Sequence, residues 1–271
     1  MPKHGDSNLR IAPVSGQDGH IPAVVSAERL GRQFGAINAV SSVSFEVSAA
    51  ETFALIGPNG AGKSTLMKML TTLLPPTSGT ALVAGYDIKR QPGQVRRHIG
   101  YVPQLPSADT ELTGAENLLL SARLYLIPPA ERPSRIAEAV AMMELSDAIN
   151  RSVHTYSGGM LRRLEIAQSM LHRPAVLFLD EPTIGLDPNG RLAVWQHVQQ
   201  LKEEIGTAIV FTTHYMDEAE EIADRVALVN EGRLVAIGDV DELLGCYNVN
   251  SLDALFTSLT GAKLAQEAGP R

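Results

Sequence analysis

The stretch Gly57-Pro58-Asn59-Gly60-Ala61-Gly62-Lys63-Ser64-Thr65 limits what this chain can fold into more than any other. An apolar run, Thr52 to Ile56, precedes it, and Leu66, Met69, Leu70, Leu73 and Leu74 follow at helical spacing. Strand, glycine-rich turn and helix in that order make the setting of a phosphate-binding loop, with the G-x-x-x-x-G-K-S pattern complete. Glycines let the backbone wrap an anion with consecutive N–H groups turned inward, and the positive end of the following helix adds to that field. Lys63 is placed to meet the β- and γ-phosphates, and the Ser64 hydroxyl to ligate Mg²⁺. A ligand-free strand-to-helix turn is the plain alternative, and the complete, correctly flanked pattern weighs against it. The reading is a site for a nucleoside triphosphate.

The rest of the chain narrows the class. With 271 residues there is room for one large domain or two small ones, and 44% apolar content is enough for a packed core. A net charge of −7 with no run of Lys and Arg argues against a nucleic-acid partner. Cys246 is the single cysteine, so no internal disulfide forms, in keeping with a reducing compartment. No apolar run approaches the roughly 20 residues that cross a bilayer. Residues 1–22 read as a mobile tail that is neither signal peptide nor anchor, residues 262–271 as a frayed end, and the chain as soluble on its own.

In chain order, Val24 to Leu30, Ala36 to Val40 and Val43 to Val47 read as three short antiparallel strands that form a small β-layer. Phe34 lies just ahead of the second and, taken alone, reads as core. Ala81 to Ala84 is strand-like, Gly85-Tyr86-Asp87 a turn, and Ile99 to Gln104 a strand that ends at Pro103 and leaves Gln104 on a loop. From about Thr113 to Ser152 no strand signal appears, and Thr113-x-x-Glu116 is a capping box, so a helical insertion is expected there. Ser157-Gly158-Gly159 opens a further helix and exposes a second helix N-terminus, by itself readable as a plain cap. Ala175 to Glu181 is an apolar strand of the doubly buried kind, ending in two acids. Asp180 is expected to hold Mg²⁺ through water, and Glu181 to face the other side of the pleat. Asp187-Pro188 caps a helix that ends at Gly206, and Thr207 to Thr212 is a strand with His214 just past it. A short helix from about Asp217, a hairpin through Asn230-Glu231-Gly232-Arg233 and a last short helix capped by Asp239 complete the pattern.

These signals, in this order and spacing, resemble the nucleotide-binding domain of ABC transporters over about Val24 to Gly261. The resemblance implies an α/β P-loop NTPase fold. It has a RecA-like, mostly parallel sheet, an N-terminal antiparallel β-layer, and a helical subdomain inserted at about 113–172 in a domain of residues 23–261. It also implies roles. Phe34 stacks on adenine, and Gly57, Pro58, Asn59, Gly60, Ala61, Gly62, Lys63, Ser64 and Thr65 form the Walker A loop. Gln104 senses Mg²⁺ and the membrane partner, and Ser157, Gly158 and Gly159 bind the γ-phosphate held by a second subunit. Asp180 is the Walker B carboxylate beside Mg²⁺, Glu181 the general base, Asp187 the D-loop residue and His214 the switch histidine. The runs Tyr156 to Met160, Glu181 to Pro188, Thr213 to Ala219 and Ser251 to Gly261 look most like the daunorubicin-resistance type, the ATPase subunits of bacterial ABC-2 exporters. That likeness implies ATP and Mg²⁺ as cofactors. Its implied partners are a separate integral membrane permease and a second copy of the chain, at the cytoplasmic face of the cell membrane. Met160 stands in place of the usual signature glutamine, and Phe34 in place of the commoner tyrosine. An importer's ATPase and a non-transport ABC ATPase are the alternatives. Against the latter, fewer than about a hundred residues separate Walker A from the signature, too few for a long coiled coil.

Overall fold

β1 (Ala23–Phe34) and β2 (Ile37–Ser48) are two long antiparallel strands in place of the three short ones expected. The apparent breaks are irregularities in the pairing. Register shifts flank Leu30 and Arg32, and Arg29 and Ser42 take φ of 46° and 54°. The computed structural model describes residues 23–261, so the expected tails at 1–22 and 262–271 lie outside the described residues. β3 (Thr52–Ile56) leads into α1 (Lys63–Leu70). β4 (Ser78–Val83) pairs with β1, and β5 (Tyr86–Asp87), expected to be a turn, is a two-residue strand paired with β4. The result is an antiparallel layer in the order β2-β1-β4-β5.

α2 (Pro92–His98), which buries only Val95, carried no pattern to announce it. β6 (Ile99–Val102) follows, and then three helices with no strand between them. α3 (Gly114–Leu124) starts on the expected capping box, with Thr113 and Glu116 satisfying each other's backbone N–H groups. α4 (Arg132–Met142) and α5 (Gly158–Met170) complete the insertion. β7 (Val176–Asp180), α6 (Pro188–Ile205), β8 (Ala208–Thr213) and α7 (Met216–Ile222) return the chain to the main sheet. β9 (Arg225–Asn230) and β10 (Arg233–Asp239) form a tight hairpin, with φ of 48° at Glu231 and 73° at Gly232, both on the side that a two-residue hairpin loop needs. α8 (Val240–Tyr247) is capped by Asp239 as expected, but it is not the last helix, because α9 (Leu252–Thr260) follows.

The second sheet runs β10-β9-β3-β8-β7-β6, with every pair parallel except the β9–β10 hairpin. Its central strands are buried on both faces, and their alternation sorts side chains into two cores. Phe53, Leu55, Phe178 and Val210 join one with α1 and the antiparallel layer, while Ala54, Ile56, Leu179 and Phe211 join the other with α3 to α9. Phe53, Phe178 and Phe211 are 0% exposed, and each contributes about 1.5–3 kcal/mol by burial.

Candidate functional site

β3, β8, β7 and β6 are consecutive neighbours that all run the same way. Their C-terminal ends therefore bring four loops to one edge of the sheet: Gly57 to Gly62 after β3, His214 after β8, Glu181 after β7 and Gln104 after β6. That edge is where open α/β sheets bind ligands.

Two of the loop's glycines answer to the protein's own packing. A Cβ on Gly57 (φ 152°) would lie 2.1 Å from the Val229 carbonyl oxygen, and one on Gly62 (φ 106°) 2.5 Å from that of Ala39. Gly60 (φ 81°) has open space in the same place, and all three take the positive φ that lets the loop curl back on itself. The loop walls a cleft of about 370 Å³ lined by Asn59 to Thr65, Ala39, Gln104, Glu181 and Ile184.

Lys63 lies at the floor, 5% exposed. Its Nζ donates to the carbonyls of Gly57 (2.7 Å) and Pro58 (3.2 Å) and pairs with Glu181 Oε1 at 3.4 Å. Burial draws its pKa below the ordinary lysine value, and the carboxylates of Glu181 and then Asp180 oppose that shift. The Ser64 hydroxyl donates to Asp180 Oδ1 at 3.0 Å, and the same oxygen accepts from Thr212 Oγ1 at 2.7 Å.

Glu181 does not face the far side of the pleat. The strand ends at Asp180, and Glu181 takes φ 50°, which breaks the alternation. Its N–H donates to the Thr212 carbonyl (3.2 Å) and hydroxyl (2.9 Å), and its side chain turns back into the cleft between Lys63 and His214. His214 Nδ1 is 2.7 Å from Glu181 Oε2, and its Nε2 is buried with no partner. An imidazole held on one side by a carboxylate leaves its other nitrogen able to donate or accept.

The donor set suits a nucleotide with a hard cation. A hydroxyl and a carboxylate oxygen, Ser64 and Asp180, are the ligand types Mg²⁺ takes, with substrate phosphates and water completing its shell. Among the described residues no group of three His, Cys, Asp or Glu could hold a metal without such help.

Five expected site residues lie apart from this cleft. Phe34, at the end of β1, is 44% exposed with the Arg32 guanidinium 4.6 Å above its ring, so it is not core. Ser157 caps α5 by accepting from the Met160 N–H at 3.2 Å, and Asp187 caps α6 by accepting from that of Gly190 at 3.0 Å. These two, with Gly158 and Gly159, line a second, separate cleft. Residues without a sequence signal also matter. Thr212 meets Asp180 because β7 and β8 pair in register, a fact of topology and not of pattern. Glu218, 8% exposed on α7, accepts from Trp195 Nε1 at 2.6 Å and from the Thr183 hydroxyl, tying the loop after Glu181 to the helix after His214.

Residues 40–184 match the family model described as ABC transporter. The chain is 43% identical over 228 residues to the daunorubicin/doxorubicin resistance ATP-binding protein DrrA of Streptomyces peucetius, covering 84% of this chain and 69% of that one. It superposes on the structure of an ATP binding subunit of an ABC transporter with a TM-score of 0.79 at 31% identity, covering 88% and 99% of the two chains. A dimeric ATP-binding cassette in a post-hydrolysis state, bound to ADP and Pi, matches at 26% identity and a TM-score of 0.71, over 79% of this chain and 98% of that one. The loop-to-sheet geometry and these likenesses agree, and this chain belongs to the ABC transporter family as one of its ATP-binding, ATP-hydrolysing cassettes.

Proposed function

We propose that this chain is the ATPase subunit of a bacterial ABC-2 type exporter. It powers a separate membrane permease at the cytoplasmic face of the cell membrane by closing on a second copy of itself around ATP. The resistance proteins it resembles and the dimeric cassette bound to ADP and Pi support this reading. The observation that carries it is the Lys63–Glu181–His214 cluster, with Ser157 to Gly159 in a different cleft of the same chain.

The ammonium of Lys63 reaches the carbonyls of Gly57 and Pro58 and the carboxylate of Glu181. A phosphate that accepts from that ammonium weakens the hold on Glu181 and frees its carboxylate to orient and deprotonate water. His214 keeps that carboxylate in place through Nδ1 and offers Nε2 to the γ-phosphate. Ser64 and Asp180 would hold Mg²⁺, which would supply positive charge against that developing on the phosphates, and Gln104 at the cleft wall would report its presence to the permease. Phe34 offers a face for adenine to stack upon, and the second copy's Ser157, Gly158 and Gly159, with Asp187 beside them, close the γ-phosphate from the other side.

Glu181→Gln tests the assignment. The variant should bind ATP as the parent does and lose about 10²–10⁴-fold in hydrolysis, measured by phosphate release. Undiminished hydrolysis would remove Glu181 from the base role.

A further inference from the structure

α5 carries a buried ion pair that the site described above does not use. Arg162 and Glu165 are 6% and 3% exposed, and Arg162 Nη1 lies 3.1 Å from Glu165 Oε2. They sit one turn apart, just beyond the N-terminal turn that Ser157 caps. Both reach away from that end, to the loop after β6. Arg162 Nη1 donates to the Pro103 carbonyl at 2.8 Å and Nη2 to the Gln104 carbonyl at 3.1 Å. Glu165 Oε1 accepts from the Ser107 N–H and from its hydroxyl, the latter at 3.0 Å.

A buried ion pair is a poor source of stability, because removing two charges from water cancels most of their attraction. What this one contributes is geometry. A guanidinium is a planar fork, and this fork meets two successive carbonyls while its partner carboxylate fixes a backbone N–H three residues on. The bonded segment, Pro103 to Ser107, contains Gln104, which lines the Lys63 cleft, whereas α5 begins in the Ser157 cleft.

We infer that Arg162 and Glu165 are positioning residues. They lock the loop bearing Gln104 onto the helix that starts at Ser157, so that the two clefts respond to ATP as one body. The inference rests on the proposed roles of Gln104 and Ser157, and it adds the part that connects them. Arg162 and Glu165 touch no nucleotide themselves. Loosening them disturbs turnover and leaves binding alone.

The test replaces both members together, Arg162→Met with Glu165→Leu, in the full chain, because deleting one alone strands a buried charge. Melting temperature should hold, KM for ATP should stay within about twofold, and kcat should fall about tenfold. Amide hydrogen exchange at Ser107 should speed up, since its N–H loses its acceptor. A folded double variant with parental kcat, or with KM raised at constant kcat, overturns the inference. Should the double variant fail to fold, Arg162→Lys replaces it: the charge stays but the fork onto the two carbonyls is lost, and a kcat loss of about threefold at constant KM is expected, parental kcat overturning the inference. If the parent chain itself shows no ATP hydrolysis, the proposed function fails and exchange at Ser107 still decides the clamp. Faster exchange in the variant supports it, and unchanged exchange contradicts it.

Discussion

Two helices, α1 and α5, turn their N-termini toward clefts, and they are finished to very different degrees. At α1, Lys63, Asp180 and Glu181 are all nearly buried, and their polar atoms meet one another, backbone carbonyls, the His214 imidazole or the hydroxyls of Ser64 and Thr212. At α5, Ser157 and Gly158 are exposed, Gly159 is half-buried, and the side-chain hydrogen bond that Ser157 makes is a cap on its own helix. The first is a polar network closed within its own chain. The second is a surface of spare N–H donors with nothing of its own chain to hold. The difference teaches that one helix end is satisfied within the chain, whereas the other, under the proposed function, is satisfied by a second molecule.

Substitutions in the two regions should therefore behave differently. The largest effect is expected in the buried region. His214→Ala removes the group that holds Glu181 at 2.7 Å and should lower hydrolysis about 10²-fold with ATP affinity nearly unchanged. Parallel phosphate-release and nucleotide-binding measurements check this, and parental turnover would detach His214 from the centre. A smaller effect is expected at the open surface. Ser157→Ala should cost about 1 kcal/mol of stability through the lost cap and leave ATP binding by the single chain untouched. Thermal melting and nucleotide titration read both quantities. Weakened ATP binding by the monomer would put Ser157 in the same cleft as Lys63 and dissolve the contrast.

How far each region was legible in the sequence follows from the same contrast. The Gly57 to Thr65 loop is contiguous, so its residue types announce the chemistry. Caps were legible too, because Thr113, Ser157, Asp187 and Asp239 act within a few residues of themselves. The direction of Glu181 was not, because a single positive φ inverts the alternation on which the expectation rested. Neither was the Arg162–Glu165 clamp, whose partners at 103–107 lie almost sixty residues away and come close only through the packing of α5 beside β6. α2 escaped notice because one buried side chain makes no period, and Phe34 taken alone reads as core because a lone aromatic carries no information about a hairpin end.

The central claim is that the Lys63 cleft of one copy is completed by the Ser157 surface of another. A chain with Lys63→Ala keeps its Ser157 surface, and a chain with Ser157→Arg keeps its Lys63 cleft. Neither should hydrolyse ATP alone. Mixed at equal amounts, with the permease co-expressed to support pairing, half of the dimers contain one intact composite site. The ATPase rate should then rise to about a quarter of the parental value and fall away on either side of that ratio. A rate that stays at the background of both parents across all ratios, with mixed dimers confirmed, would contradict the claim and leave Ser157 as the cap of α5 alone.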